Sequence, residues 1–136
     1  VMQRLKEALQ QDSIQEQFVT EEGFNISSIA PRGIIQTNLD QTAWLVSQQS
    51  GSVNNMSYET VYELSRMYDV QENSVKKSIE VILIQIFSNE AQQRAHTQET
   101  LLLLYKRFQI LSQLESSLNR QYSRVLQQLD QQLSLH

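Results

Sequence analysis

Cysteine is absent from the 136 residues. Disulfides, thiolate-held metals, iron–sulfur clusters and a cysteine nucleophile are thereby excluded. Proline occurs once, at Pro31, and glycine three times, at Gly23, Gly33 and Gly51. Neither follows Gly51, and so long a stretch without breakers reads as helix. Basic charge is scarce as well: 11 Lys and Arg stand against 15 Asp and Glu, for a net charge of −4. An acidic chain repels phosphate backbones, so a nucleic-acid partner is disfavoured. Long apolar runs are missing too. The aliphatic runs Val81–Ile84 and Leu101–Leu104 fall far short of the roughly 18 residues that argue for a membrane span. No secretion signal is read in these residues. The start at Val1-Met2 reads as that of a fragment, so a membrane anchor can lie outside it.

Chemistry-bearing residues are equally thin. The two histidines are His96, in an expected turn, and His136, at the end. Helical di-metal sites need several inward carboxylates with Glu-x-x-His repeats. Here His96 precedes Glu99 once only, with Glu90 nearby, and reads as a solvated histidine; no metal site is expected. There is no Gly-x-Ser-x-Gly elbow, and the three glycines lie too far apart for a phosphate loop. Glu59 and Glu63, one helical turn apart, read as a solvated face rather than an acid pair. Lys76-Lys77, Lys106-Arg107 and Arg120/Arg124 read as surface pairs. The expectation is a chain without catalytic residues or cofactor, hence not an enzyme.

What is abundant is glutamine, 21 residues in all, often in pairs such as Gln127-Gln128 and Gln131-Gln132. Glutamine is a good helix former with a solvated amide, and the expected use is an uncharged helix surface. The length supports one domain, residues 1–136, able to bury roughly two thirds of its unfolded surface.

Periodicity then places the elements. Met2, Leu5 and Leu9 mark a helix face within residues 1–18. Residues 19–37 read as irregular, with a turn at Pro31-Arg32-Gly33, and as packed, because Ile26, Ile29, Ile34 and Ile35 are too apolar for a free loop. A short helix is expected over 39–50, its face formed by Leu39, Ala43 and Val46 beside Trp44. Thr37 or Asn38 would cap it and Gly51 would end it. Ser57 is a good N-cap for the next helix, with Met56 and Val61 at staple spacing. Its face reads Val61, Leu64, Tyr68, Gln71, Val75, Ile79, Ile82, Ile86. After a polar reversal, Thr97 would cap the last helix. That face reads Leu101, Leu104, Phe108, Leu111, Leu114/Glu115, Leu118, Tyr122, Val125, Leu129, Leu133, a 3/4 spacing sustained over four heptads. The expected fold is all-α: a bundle of three or four helices dominated by a long antiparallel pair, about 57–88 and 98–133.

One constellation could hold a ligand. Trp44, Tyr58 and Tyr62 are candidates for an aromatic stacking patch; the competing reading fills the junction between a short helix and a long one.

Residues 42–71 also carry a recurring pattern: Thr42-Ala43-Trp44, Ser50-Gly51, Met56-x-Tyr58-Glu59, Leu64-Ser65, then Tyr68 and Gln71. It resembles uncharacterised bacterial proteins that carry one N-terminal membrane helix followed by a helical domain. The resemblance is specific over about 30 residues and architectural over the rest. It implies an inner-membrane tether with the domain in the periplasm, and it supplies no catalytic residue. The expected role is a non-enzymatic, membrane-tethered interaction or scaffolding module that binds itself or a protein partner. The alternative is an extracytoplasmic ligand-binding sensor domain of a membrane receptor.

Overall fold

A computed structural model describes residues 1–28, 30–31 and 40–134. In chain order its elements are α1 (Met2–Gln10), α2 (Asp12–Gln15), the strands β1 (Val19–Thr20) and β2 (Gly23–Phe24), α3 (Thr42–Gln49), α4 (Tyr58–Val70), a π-helical turn (Gln71–Lys76), α5 (Lys77–Ile86) and α6 (Thr97–Ser134). The protein is therefore helical, as the breaker-free sequence predicts. The chain divides into two compact units, Val1–Thr37 with Lys77–Ser112, and Asn38–Lys76 with Gln113–His136.

In the first unit, α1 buries Leu5 and Ala8 completely. The expected face through Leu9 is displaced by one residue, because the helix stops at Gln10 and Gln11 turns extended, with φ −135° and ψ 108°. The expected irregular segment starts instead with a small antiparallel hairpin, Val19 opposite Phe24 and Thr20 opposite Gly23. Gly23 has φ +113°, and a Cβ there would stand 1.9 Å from Gln92 Oε1. The positive φ favours glycine, and a side chain there would displace the end of Gln92. Gln92 uses that close approach: its Oε1 accepts the Phe24 N–H at 2.7 Å and its Nε2 donates to the Ile86 carbonyl at 2.8 Å. Phe18, Val19, Ile82, Ile86, Ala91, Leu101, Leu104, Phe108 and Leu111 are the further buried apolar residues described in this unit beside Leu5, Ala8 and Ala30, and Thr97 and Thr100 are buried with them. Fully burying each large aliphatic side chain contributes roughly 1.5–3 kcal/mol. Ile29, Ile34, Ile35 and the Arg32-Gly33 part of the expected turn lie outside the described residues.

In the second unit, α3 turns Trp44 inward, 6% exposed, and leaves Val46 55% exposed. The expected Ala43/Val46 face is thus rotated onto Trp44, whose large ring outweighs two small side chains. Leu39 and the expected caps Thr37 and Asn38 lie outside the described residues. The N-cap position is Gln41, which makes no side-chain cap bond; just before it Asp40 closes a local turn, its Oδ1 accepting the Thr42 N–H at 2.8 Å and the Thr42 hydroxyl at 2.5 Å. Gly51 follows α3 with φ +74°, the left-handed stop its position predicts. Ser57 caps α4 as expected, its Oγ accepting Thr60 N–H at 3.2 Å.

From α4 to α5 the buried residues are Thr60, Leu64, Met67, Gln71, Val75, Ile82 and Ile86. Thr60 takes the place expected of Val61, and Met67 that of Tyr68; both displaced residues are half-buried. A seven-residue repeat starting at Thr60, Leu64, Met67, Gln71 would continue at 74, 78, 81 and 85. The observed set runs one residue later, and the π turn lies where the phase changes. A π turn holds one residue more than an α turn, so it absorbs the surplus and lets Gln71 and Val75 both turn inward within the second unit.

Helix α6 has 38 residues, about 57 Å at 1.5 Å per residue. Its buried positions Leu101, Leu104, Phe108, Leu111, Leu118 and Val125 follow the expected face without a phase change. Two ends differ. Thr97 does not accept an N–H as a cap; its hydroxyl donates to the Arg94 carbonyl at 2.9 Å. Leu133 is 74% exposed, and Gln132 takes the inward position, its Nε2 donating to both Ser57 Oγ and Thr60 Oγ1 at 2.8 Å.

Candidate functional site

The structure separates the three aromatic candidates. Trp44 stacks on Tyr68, with centroids 5.6 Å apart and planes 9° from parallel. Tyr58 and Tyr62 stack on each other at 6.4 Å. Spacing explains the second pair: residues four apart share a helix face. The Tyr58 ring is 84% exposed and Tyr62 49% exposed, while Trp44 is buried. The Arg66 guanidinium adds a cation–π contact 5.9 Å from the Tyr62 centroid. Tyr58, Tyr62 and Arg66 thus form a solvent-facing ladder, and Trp44 with Tyr68 forms packing between α3 and α4.

A polar cluster surrounds the π turn. The Gln71 side chain is 2% exposed; its Oε1 accepts from the Tyr122 hydroxyl, and its Nε2 donates to Glu72 Oε1 at 3.5 Å. Glu72 pairs in turn with Lys76 at 2.6 Å. Burial raises the Tyr122 hydroxyl above its ordinary pKa, helped by Tyr68 and by the Glu72 charge. The phenol therefore stays protonated at neutral pH and acts as a donor. Replacing Gln71 by an apolar residue would take the partner from that half-buried hydroxyl, at about 1 kcal/mol. Spacing put Gln71 and Tyr122 on inward faces, but nothing in the sequence pairs residues so far apart. On α3, the Thr42 hydroxyl, then its backbone N–H, hold Asp40 below the usual carboxylate value.

His96 Nδ1 lies 3.5 Å from Glu99 Oε2, both largely exposed. Among the described residues no three His, Asp or Glu side chains converge on a metal position. Lys106, Arg120 and Arg124 are exposed, as is Glu59, and Lys76 serves the Glu72 pair.

The remaining feature is apolar and exposed. On α5, Val81, Ile84 and Phe87, the last just past the helix end, recur every third residue and are 38%, 69% and 72% exposed. In the same unit α6 exposes Leu102 and Ile110. The 3/4 spacing marks the inward stripe of each helix, and these side chains fall outside it. The Val81–Ile84 run, apolar on every side of the helix, was the available signal.

Among the described residues no helix is long and apolar enough to cross a membrane. Comparison with known proteins finds no family model, no curated protein and no solved structure that matches the chain.

Proposed function

We propose that this chain is a non-enzymatic helical interaction module, built as a bundle around an antiparallel pair of long helices and acting by association with a second copy or a protein partner. Two hydrogen-bonded positions support the antiparallel pairing: Gln132 with Ser57 and Thr60, and Tyr122 with Gln71. Residue numbers rise on one helix as they fall on the other. The observation that carries the functional reading is the exposed apolar face of α5, Val81, Ile84 and Phe87. Large apolar side chains grouped on one helix face mark interaction surfaces rather than ordinary solvent-facing ones.

The pattern in residues 42–71 supports a bacterial inner-membrane tether, with this domain on the periplasmic side. A tether also favours association, since confinement to a membrane raises the effective concentration of its partners. Sedimentation velocity from low to high micromolar concentration tests the reading. The expected result is a dimer or larger species that dissociates on dilution. A strict monomer throughout, with no partner recovered by crosslinking in the cell, overturns it.

A further inference from the structure

Helix α1, α2 and the segment after the hairpin border an open groove of about 520 Å³, with Ile14, Phe18, Asn25 and Ser28 along it and the exposed side chains of Arg4 and Glu7 at its rim. That is within the size range of small-molecule sites, roughly 300–1,000 Å³. Its walls are chemically uneven. Half-buried Ile14 supplies the accessible apolar side, over the edge of Phe18, which is 2% exposed. Arg4 and Glu7, three residues apart on α1, share a helix face and supply opposite charges.

Arg4 is held in place: its Nη1 donates to the Ser28 carbonyl at 2.9 Å. The Ser28 hydroxyl donates to the Gln17 carbonyl at 3.0 Å, which fixes that carbonyl-bearing turn against the groove. A guanidinium carries five N–H donors, so the fork retains donors after this bond. Among the described residues no carboxylate lies within ion-pair distance of Arg4; the pairs formed are Lys76–Glu72 and His96–Glu99. Glu7 accepts one bond from Gln3 Nε2 at 2.8 Å through Oε1, which leaves Oε2 as a further acceptor. Asn25 accepts from the Ser27 hydroxyl through Oδ1, leaving its amide N–H groups as donors.

We infer that this groove binds a small zwitterion, an α-amino acid with an apolar side chain. Arg4 takes the carboxylate, Glu7 takes the ammonium, and Ile14 and Phe18 face the side chain. An anchored guanidinium meets a carboxylate with two parallel N–H···O bonds. A wall carrying one positive and one negative group favours a ligand carrying both over a plain acid or a plain amine. Each of the latter makes only one of the two charge-assisted contacts, the other side chain staying in water. This inference does not rest on the association reading: the groove lies on α1 and the hairpin side of its unit, and the exposed stripe on α5 and α6.

The test is calorimetric titration of the whole chain with L-leucine as probe, beside 4-methylpentanoate, which lacks the ammonium, and 3-methylbutylamine, which lacks the carboxylate. L-leucine is expected to bind saturably, with each analogue at least about tenfold weaker, the loss of one charge-assisted contact. Arg4→Gln and Glu7→Gln are expected to weaken L-leucine by a similar factor, with unchanged circular dichroism. The ligand series on the unaltered chain keeps the test open if a variant misfolds. No saturable heat with L-leucine at millimolar concentration overturns the inference. So does equal binding of the three compounds, or binding that survives both substitutions.

Discussion

At the scale of the residue, the side chains that join distant parts of the sequence are Trp44 and three glutamines. Gln92 binds the hairpin to the end of α5, Gln71 receives Tyr122, and Gln132 reaches Ser57 and Thr60. Composition marked glutamine as surface filler, and for the exposed ones that stands. An amide with both a donor and an acceptor is also suited to bridge backbone and hydroxyl groups without burying a charge. No periodicity separates the two uses, because the partners lie dozens of residues away. Trp44 is the opposite case: its size alone predicted burial, although the face drawn around it was wrong. Trp44→Ala removes the ring that stacks on Tyr68 and is expected to destabilise the protein by about 3–5 kcal/mol. Urea unfolding followed by circular dichroism measures it; a loss below about 1 kcal/mol would place the ring outside the core and return it to the ligand-binding candidates.

At the scale of the element, the spacing of apolar residues located α4, α5 and α6 well, because sustained 3/4 periodicity leaves little choice of face. Ser57 and Gly51 marked real boundaries for the same local reason: cap and stop chemistry act within a few residues. The hairpin at residues 19–24 was hidden, since two-residue strands carry no alternation to detect. The π turn was visible only as a change of phase between Gln71 and Val75. That phase makes a prediction. Deleting Asn73, an exposed residue of the π turn, converts it to an α turn and keeps Val75 in phase with Thr60–Gln71. Deleting Ser65, exposed on α4, instead turns Thr60 and Leu64 by about 100° out of the phase of Met67–Val75. Both deletions shift the chain along the helix axis by about 1.5 Å, so their comparison isolates the rotation. Urea midpoints should place the Asn73 deletion within about 1 kcal/mol of the parent, beyond the lost Asn73–Asp69 side-chain bond. The Ser65 deletion should cost about 2–5 kcal/mol, the loss of a core leucine. Equal costs would mean that the π turn is not a phase correction.

At the scale of the whole molecule, the open matter is what the exposed apolar side chains are for. Ile84 and Phe87 are 69% and 72% exposed, so in an isolated chain they contribute little to folding. Surface substitutions away from special features usually change stability by less than about 0.5 kcal/mol. If these side chains meet a second copy, their contribution instead grows with concentration, because association stabilises the folded state by mass action. The two cases separate in one experiment. The melting temperature of the parent chain should rise as concentration rises, and that of the Ile84→Glu/Phe87→Glu variant should not. At high dilution the two proteins should melt within a few degrees of each other, since the exposed substitutions cost the fold only about 0.3–1 kcal/mol each, the charge at the C-terminal end of α5 included. The charge would then act only where the surfaces meet, by placing an unpaired carboxylate in an apolar contact. A parent melting temperature that is flat with concentration would remove self-association from the proposal and leave a different protein as the occupant of that face. A variant that melts far below the parent even at high dilution would assign Ile84 and Phe87 to the fold itself.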